Sequence, residues 1–417
     1  MEKLSKNFIW LAAANVVSSL FGAVLFIYLA RVLGPDSFGY FSYAIAIVFF
    51  LANFVDMGLS TYGIREIAKN KPRLTEYASE IVSFRFLAAN ILLFLLIIIT
   101  MLSSHSYILK AVIIASSLML FTFALATEWA FQGIEKMRMV FISFMVTSFL
   151  QLGLTLIFVK KPSDLLKAPI IYFASTLPIL FIYLKILNFK GLFKTDDLKK
   201  MLSYLSSSLV IWSIAIFAQV YNGLDIFILG LFRPIGEVGY FTIAKRVIGA
   251  FIMFMVFLTN AVLPRLSYAS CNDIELFKST TRRFVKLGAF FTFFVLLPAI
   301  FLCEKIVIFA VGNDYLPAVI PLNIMIVGLV FVLFNLPYST GLIACGMEKD
   351  VMIQTAASAA LSLLINFIII PKYGIIGASV SFTIVEIFAF VWIYWIYENK
   401  VRYAGRGVGR GGPSLHE

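Results

Sequence analysis

The chain has 417 residues, of which 61% are hydrophobic and 13% are charged, whereas soluble domains average roughly 45–50% apolar and about 25% charged residues. This composition excludes a soluble globular protein and indicates an integral membrane protein. The net charge of +12 is spread over short loops without a base-stacking motif, so it favours the positive-inside topology of a membrane protein over a nucleic-acid partner.

Apolar runs recur along the whole chain, and about twelve of them are long enough to cross a hydrocarbon core of roughly 30 Å as helices. In chain order they cover residues 8–30, 38–62, 81–103, 107–131, 138–159, 168–188, 204–231, 238–263, 284–303, 317–345, 351–370 and 375–397. The first run, at about 23 residues, is too long for a signal-peptide core and predicts an uncleaved span. The predicted fold class is an all-α integral membrane protein.

The orientation follows from the lysines and arginines in the connections, because translocation of these charges is disfavoured. With the N-terminus inside, roughly 23 of them fall on the cytoplasmic side and about eight on the outer side. Both termini are therefore expected to be cytoplasmic, in a multi-pass protein of the cytoplasmic (inner) membrane.

An internal repeat divides the chain into two halves. The segment "FRPIGEVGYFTIAKRV" (232–247) resembles "LGPDSFGYFSYAIAIV" (33–48), and "ACGMEKDVM" (344–352) resembles "FQGIEKMRM" (131–139). Two similar pairs in the same order indicate two halves of six helices each. Because six is even, the halves enter the membrane the same way up, as parallel repeats about an axis along the membrane normal.

The repeat sets the expected domain organisation. Four segments are predicted: an N-terminal six-helix lobe at 1–188, a cytoplasmic inter-lobe linker at 189–203, a C-terminal six-helix lobe at 204–400 and a cytoplasmic tail at 401–417. The linker carries the most charged internal sequence, and its apolar residues suit a short helix on the inner membrane surface or a simple tether.

The second copy of the repeat places two cations, Lys245 and Arg246, inside a span where the first copy has apolar residues. A charge at the bilayer centre requires a partner or water. Asp225, at a similar depth in the preceding span, could form an ion pair with Arg246. Lys245 points about 100° away around the helix, so one acid cannot readily serve both cations, and the second could attract a phosphate.

Three further acids lie within predicted spans. Asp56 and Glu128 are near the inner interface, where Arg65 or Lys136 could neutralise them in a structural role. Glu386 is at mid-membrane without a cation on its own helix, so it could either carry a coupling proton or make an interhelical hydrogen bond.

The tenth predicted span, 317–345, contains Pro337 and Gly341. These residues predict a kink that is either a hinge of alternating access or a static bend. No catalytic constellation is visible, and the isolated histidines and unpaired cysteines predict neither a metal site nor a cofactor.

Together these motifs resemble the polysaccharide-unit flippases (O-antigen, Wzx type) of the multidrug/oligosaccharidyl-lipid/polysaccharide exporter superfamily. The resemblance covers nearly the whole chain. It is carried by "YLARVLGPDSFGYFSYA" (28–44), "DMGLSTYGIREIAK" (56–69), "FQGIEKM" (131–137), "DIFILGLFRPIGEVGYFTIAKR" (225–246) and "YGIIGASVS" (373–381).

The resemblance implies a twelve-helix, V-shaped, two-lobe transporter that moves a polyprenyl-pyrophosphate-linked oligosaccharide from the inner to the outer leaflet by alternating access, with ion coupling. The family's cationic cavity corresponds here to Arg246, Lys245 and Arg31. The coupling or ion-pair candidates are Asp225, Glu386, Asp56 and Glu128. The resemblance also implies a polysaccharide polymerase complex as a partner.

Two other functions share this composition. A cation-coupled multidrug exporter of the same superfamily would need buried carboxylates facing its drugs. A membrane polysaccharide polymerase would need a long outer loop with catalytic groups, whereas the predicted outer connections are short.

Overall fold

The computed structural model describes residues 2–189 and 198–402, and these residues form helices without a β-strand. Residues 190–197 of the predicted linker (189–203) and residues 403–417 of the predicted tail (401–417) lie outside the described residues. The α-helices, in chain order, are α1 (Glu2–Asp56), α2 (Leu59–Lys69), α3 (Leu74–Leu102), α4 (Tyr107–Ser117), α5 (Met119–Leu125), α6 (Glu128–Gly133), α7 (Met137–Phe158), α8 (Lys167–Ile186), α9 (Leu198–Phe232), α10 (Ile235–Asn272), α11 (Ile274–Phe291), α12 (Leu297–Val311), α13 (Val319–Ala344) and α14 (Glu348–Ile396).

Ten helical segments among the described residues are long and apolar enough to cross a membrane. Two of them, Ile9–Lys69 and Glu348–Val401, contain 61 and 54 residues. A continuous helix of that length would measure about 80 Å or more, far beyond the hydrocarbon thickness. Each is interrupted by a glycine with non-helical dihedral angles, Gly34 and Gly374. The all-α membrane fold class is confirmed. Division of these two segments at their glycines is the way in which twelve spans would arise, and the count of twelve stays a prediction.

Local sequence explains the break in α1. Gly34 has a φ of 74°, a region that a residue without Cβ enters readily. Pro35 follows, and its fixed φ and missing N–H suit the first turn of the next helical segment. The second copy of the repeat uses Pro234 at the same place, between α9 and α10. The GYF motif therefore begins equivalent spans in both halves.

The second pair of repeated motifs also forms equivalent turns, but in a different register from the sequence match. After α6, the Lys136 N–H donates to the Phe131 carbonyl, and after α13 the Met347 N–H donates to the Leu342 carbonyl. In both turns a residue with positive φ, Glu135 or Gly346, ends the helix in the manner of a Schellman motif. The turns are thus 211 positions apart (136 to 347), whereas the matched letters GIEK and GMEK are 213 apart (133 to 346).

The contacts divide the chain into two compact units, and the division falls between Ile216 and Phe217, inside α9. The first half of α9 belongs to the N-terminal unit because Trp212 donates its indole N–H to the Asn53 carbonyl at 2.9 Å, and the Tyr204 hydroxyl donates to Glu80 at 2.7 Å. The lobe boundaries expected from the spans, 1–188 and 204–400, stay a prediction.

Small residues allow close helix packing in the C-terminal unit. A Cβ on Gly328 of α13 would lie 3.0 Å from the Thr383 Cα and 2.9 Å from the Phe382 ring of α14. The Thr383 hydroxyl donates to the Ile324 carbonyl across the same contact at 3.0 Å. Such small-residue contacts and side-chain hydrogen bonds hold helices together where lipid removes the hydrophobic driving force.

The helix α13 contains both hinge candidates. It runs from Val319 to Ala344 through the buried Pro337 and Gly341. A Cβ on Gly341 would lie 3.2 Å from the Tyr397 ring. Close packing against this ring therefore explains a glycine at this position without a hinge. The non-helical residues inside described membrane helices are instead Gly34 and Gly374, and a hinge at Pro337 stays a prediction.

Candidate functional site

A buried polar cluster in the C-terminal unit contains three of the residues singled out in the sequence. Tyr221 and Asp225 are four positions apart on α9 and therefore share one helix face. Lys245 comes from α10, and Glu386 from the part of α14 that follows the break at Gly374. The cluster joins three helices within one unit.

The carboxylate of Asp225 pairs with Lys245. The Lys245 Nζ lies 2.5 Å from Asp225 Oδ1 and 2.6 Å from Oδ2, and it also donates to the Asn222 carbonyl. Asp225 is 8% exposed. The sequence had allowed an ion pair between Asp225 and Arg246, and in the structure it is the neighbouring Lys245 that pairs with Asp225. The physical reason is direction, since successive residues point about 100° apart on a helix and Lys245 is the one that points to α9.

Glu386 makes an interhelical hydrogen bond. The Tyr221 hydroxyl donates to Glu386 Oε1 at 2.6 Å, and Glu386 is 5% exposed. This contact corresponds to the second of the two alternatives considered for Glu386, and it leaves the first open because a carboxylate held by one hydroxyl retains other acceptor positions.

A small cavity lies among these side chains. It is lined by Tyr221, Asp225, Ser362, Asn366, Phe382, Val385 and Glu386. The volume open to the centre of a water molecule is about 10 Å³. This is about the minimum that one ordered water requires. Asn366 donates to the Ser362 hydroxyl at 3.1 Å, while its Oδ1 is buried without a hydrogen-bond partner among the described residues. The cavity therefore presents acceptor oxygens to a proton donor or a small cation.

The remaining cationic candidates lie on exposed surfaces. Arg246 is exposed on α10, 11 residues after its first residue, Ile235, which is about 17 Å along the helix axis. It lies inside the apolar segment Ile235–Val256. Arg31 is exposed on α1 of the N-terminal unit, three residues before the break at Gly34. The structure thus brings Lys245 and Asp225 together and places Arg246 and Arg31 in different units.

Asp56 belongs to a separate buried network in the N-terminal unit. Its carboxylate forms an ion pair with Arg85 of α3 and accepts a hydrogen bond from the Ser60 hydroxyl at 2.7 Å. Arg85 is 2% exposed, donates to the Ala126 carbonyl at 3.1 Å, and lies 5.7 Å from the centre of the Trp129 ring. Asp56 therefore joins the end of α1 to α3.

The partners of Asp56 and Glu128 differ from the Arg65 and Lys136 considered from the sequence, and the structural roles of the two acids stay a prediction. Glu128 accepts a hydrogen bond from the Ser143 hydroxyl at 2.6 Å. Arg65 was considered as a partner of Asp56, but its Nε lies 3.2 Å from the Oε1 atom of Glu66. Arg85 is not among the residues predicted from the sequence, although it is a cation inside an apolar run, which is the signal that identifies Lys245 and Arg246.

Two other residues of the C-terminal cluster were also missed. Tyr221 and Asn366 are polar residues in otherwise apolar runs, but spacing alone could not show that Tyr221 donates to Glu386 or that Asn366 lines the same cavity. Among the described residues, no group of three or more histidine, cysteine, aspartate or glutamate side chains is arranged to hold a metal ion.

Residues 4–270 match the model of the family described as "Polysaccharide biosynthesis protein", which is more than half of the chain. The chain belongs to this family. An Escherichia coli (strain K12) protein named "Putative O-antigen transporter" is 27% identical over 92% of this chain and 94% of its own length. The Staphylococcus aureus capsular polysaccharide biosynthesis protein CapF is 24% identical over 94% of this chain and 99% of its own.

Two solved structures share the fold of this family member. A structure of the lipid II flippase MurJ in an inward closed conformation matches with a TM-score of 0.76 at 18% identity, over 98% of this chain and 94% of that one. A multidrug resistance MATE family transporter in an inward-facing conformation matches with a TM-score of 0.75 at 14% identity, over 96% and 99%. At these identities the matches establish the fold.

Proposed function

We propose that this protein is a flippase that translocates a polyprenyl-pyrophosphate-linked oligosaccharide, such as a surface-polysaccharide repeat unit, from the inner to the outer leaflet by alternating access. The observation that carries the proposal is the position of Arg246, an exposed guanidinium inside the apolar segment Ile235–Val256. A cation at this depth is costly to insert, and its planar fork of donors matches the oxygens of a diphosphate.

The chemistry of the cargo explains why a protein is required. The hydroxyls of a sugar and the charges of a pyrophosphate would lose their hydrogen bonds to water in hydrocarbon. Translocation makes and breaks no covalent bond, so the protein acts as a transporter rather than an enzyme. The names of the E. coli and S. aureus relatives and the MurJ match support this class of cargo.

We place the protein in the cytoplasmic membrane with both termini in the cytoplasm, because this orientation puts most connecting lysines and arginines inside. A polysaccharide polymerase complex is proposed as its partner from the family resemblance alone. The cargo enters from the inner leaflet in this orientation and leaves toward the compartment where repeat units are polymerised.

The function is tested in proteoliposomes that contain a pyrophosphate-linked oligosaccharide, by exposure of the sugar to an impermeant reagent. We expect Arg246→Ala to slow translocation more than tenfold at equal reconstitution, since one charge-assisted contact to a diphosphate contributes about 1.5–3 kcal/mol. Arg246→Lys, which retains the charge but not the fork, should have an intermediate rate. No transport of any pyrophosphate-linked glycan by the unaltered protein would refute the proposal.

We further propose that the cavity beside Glu386 couples transport to an ion gradient. The Glu386 carboxylate accepts a hydrogen bond from Tyr221, and Asn366, whose Oδ1 has no hydrogen-bond partner among the described residues, lines the same cavity. Asp225 also lines it. Glu386→Gln is expected to abolish the dependence of flipping on the imposed gradient while Tyr221→Phe weakens it. An unchanged response of Glu386→Gln to both proton and sodium gradients would remove the cavity from the mechanism.

A cation-coupled multidrug exporter is the second candidate, and the buried carboxylates of Asp225 and Glu386 favour it. The engagement of Asp225 by Lys245 argues against it, because the pair already neutralises one of the two acids. The same vesicles distinguish the two functions. Efflux of cationic dyes without translocation of the lipid-linked sugar would identify a drug exporter.

A further inference from the structure

The exposed face of α11 carries a basic stripe at the beginning of a membrane span. Arg282, Arg283 and Lys286 are all exposed, and they precede the apolar part of the continuous helical segment Ile274–Val311. In a helix of 3.6 residues per turn, Arg282 and Lys286 lie one above the other, and Arg283 lies beside them. We call these three residues the α11 stripe.

Packing fixes the rotation of this helix. The opposite face is buried through Phe277, Thr281, Phe284 and Gly288. A Cβ on Gly288 would lie 3.1 Å from the carbonyl oxygen of Leu333 in α13, so α11 sits closely against its neighbour there. The α11 stripe must therefore point away from the protein interior.

The same exposed face continues as an aromatic surface. Phe290 and Phe293 are eight and eleven residues after Arg282, and they are 57% and 62% exposed. Phe301, further along the span, is 85% exposed. Side chains this apolar and this exposed in a membrane protein contact acyl chains. Lys286 precedes Phe290 by one helical turn, or about 6 Å, so the α11 stripe lies at the depth of the headgroups of the same lipids.

Among the described residues, no acid forms an ion pair with the α11 stripe. None of the ion pairs found among the described residues involves Arg282, Arg283 or Lys286. The acid that begins α11, Glu275, lies 3.6 Å from Lys278. Three cations thus face the lipid boundary together.

We propose that the α11 stripe is a binding site for the phosphate headgroup of an anionic phospholipid, with the acyl chains lying along Phe290 and Phe293. Guanidinium and ammonium groups are suited to phosphate oxygens. Long basic side chains reach the headgroup region while their stems stay on apolar surface. In the orientation proposed above, the site faces the cytoplasmic leaflet, where basic segments near a membrane helix attract anionic lipids.

The site is tested with the full-length protein reconstituted in phosphatidylcholine vesicles. A Phe290→Trp substitution supplies a fluorophore, and brominated phosphatidylglycerol quenches it when the lipid binds alongside, after subtraction of the signal of the protein without this substitution. We expect brominated phosphatidylglycerol to bind about tenfold more tightly than brominated phosphatidylcholine, because attraction to several cations accumulates near the surface. The triple variant Arg282→Gln, Arg283→Gln, Lys286→Gln should remove this preference, so that the two brominated lipids bind with about equal affinity.

Two controls make the result specific. The triple variant Lys136→Gln, Arg138→Gln, Lys349→Gln removes the same charge from exposed positions outside α11 and should retain the preference. Arg282→Lys with Arg283→Lys keeps the charge at two exposed positions and should also retain the preference.

Three results would overturn the proposal. These are an equal affinity for the two lipids in the unaltered protein, the same loss in both glutamine triple variants, and displacement of phosphatidylglycerol by millimolar inorganic pyrophosphate. The last would show a general phosphate site open to water rather than a phospholipid site.

Discussion

The ion pair between Lys245 and Asp225 permits a quantitative test of whether Lys245 stabilises the fold or binds cargo. Lys245→Met removes the charge and retains most of the side-chain length, which leaves Asp225, 8% exposed, without its counter-charge. Breaking a buried pair by removing one partner costs about 3–5 kcal/mol. Asp225→Asn should cost less, about 1–2 kcal/mol, because the Lys245 side chain is 22% exposed and can reach water.

The double variant separates the pair from its surroundings. If the two side chains stabilise the fold through each other, Lys245→Met with Asp225→Asn should cost less than the sum of the single changes, with a coupling free energy of about 1–3 kcal/mol. The assay is equilibrium unfolding in mixed micelles with increasing dodecyl sulfate. Lys400 and Asp350 form a matched control, because they are 2.8 Å apart and the Lys400 side chain is 51% exposed, so their coupling should be below about 1 kcal/mol. Additive single changes at Lys245 and Asp225 would refute the structural role and return Lys245 to the cargo site.

Two further predictions concern stability. Gly374→Ala should destabilise the C-terminal unit by about 1–3 kcal/mol. The reason is that Gly374 has a φ of 56° and that an added Cβ would overlap a Glu237 carboxylate oxygen. The control is Gly249→Ala, whose added Cβ meets open space on α10 and which should cost nothing in the same unfolding assay. Asp56→Asn should cost about 3–5 kcal/mol in unfolding, because it leaves the Arg85 guanidinium, whose side chain is 3% exposed, without its counter-charge. A cost below about 1 kcal/mol, typical of an exposed pair, would contradict that role.

The sequence predicted the membrane fold because its strongest signals are long and additive. In lipid, a run of about 20 apolar residues is stable as a helix, because its backbone groups then form hydrogen bonds with one another. The breaks inside α1 and α14 were predictable for a similar reason, since the apolar runs stop at 30 and resume at 38, and stop at 370 and resume at 375, around Gly34 and Gly374.

The pairing of charges was less predictable because it depends on helix rotation and not only on depth. Asp225 lies at a depth that suits both Lys245 and Arg246, and the residue numbers do not show which of them points to α9. Arg85 was missed because its partner Asp56 is 29 positions away in sequence and on another helix. The turn register of the repeat also differs from the matched letters, since a Schellman turn needs a residue with positive φ and accepts Glu135 where the other copy has Gly346.

The two adjacent cations of α10 differ in their surroundings, and we propose that their roles are separable. Lys245 is directed into its own unit, where Asp225 and the Asn222 carbonyl hold its ammonium group, while Arg246 is exposed on the next face of the helix. Cargo that binds through a diphosphate should thus depend on Arg246 directly and on Lys245 only through the position of α10. It follows that Lys245→Met should lower unfolding stability and translocation together, whereas Arg246→Ala should lower translocation at equal reconstitution of the folded protein. If instead Lys245→Met lowered translocation without lowering stability, and Arg246→Ala lowered stability, the two roles would be exchanged. The cargo site would then lie on the face of α10 that carries Lys245.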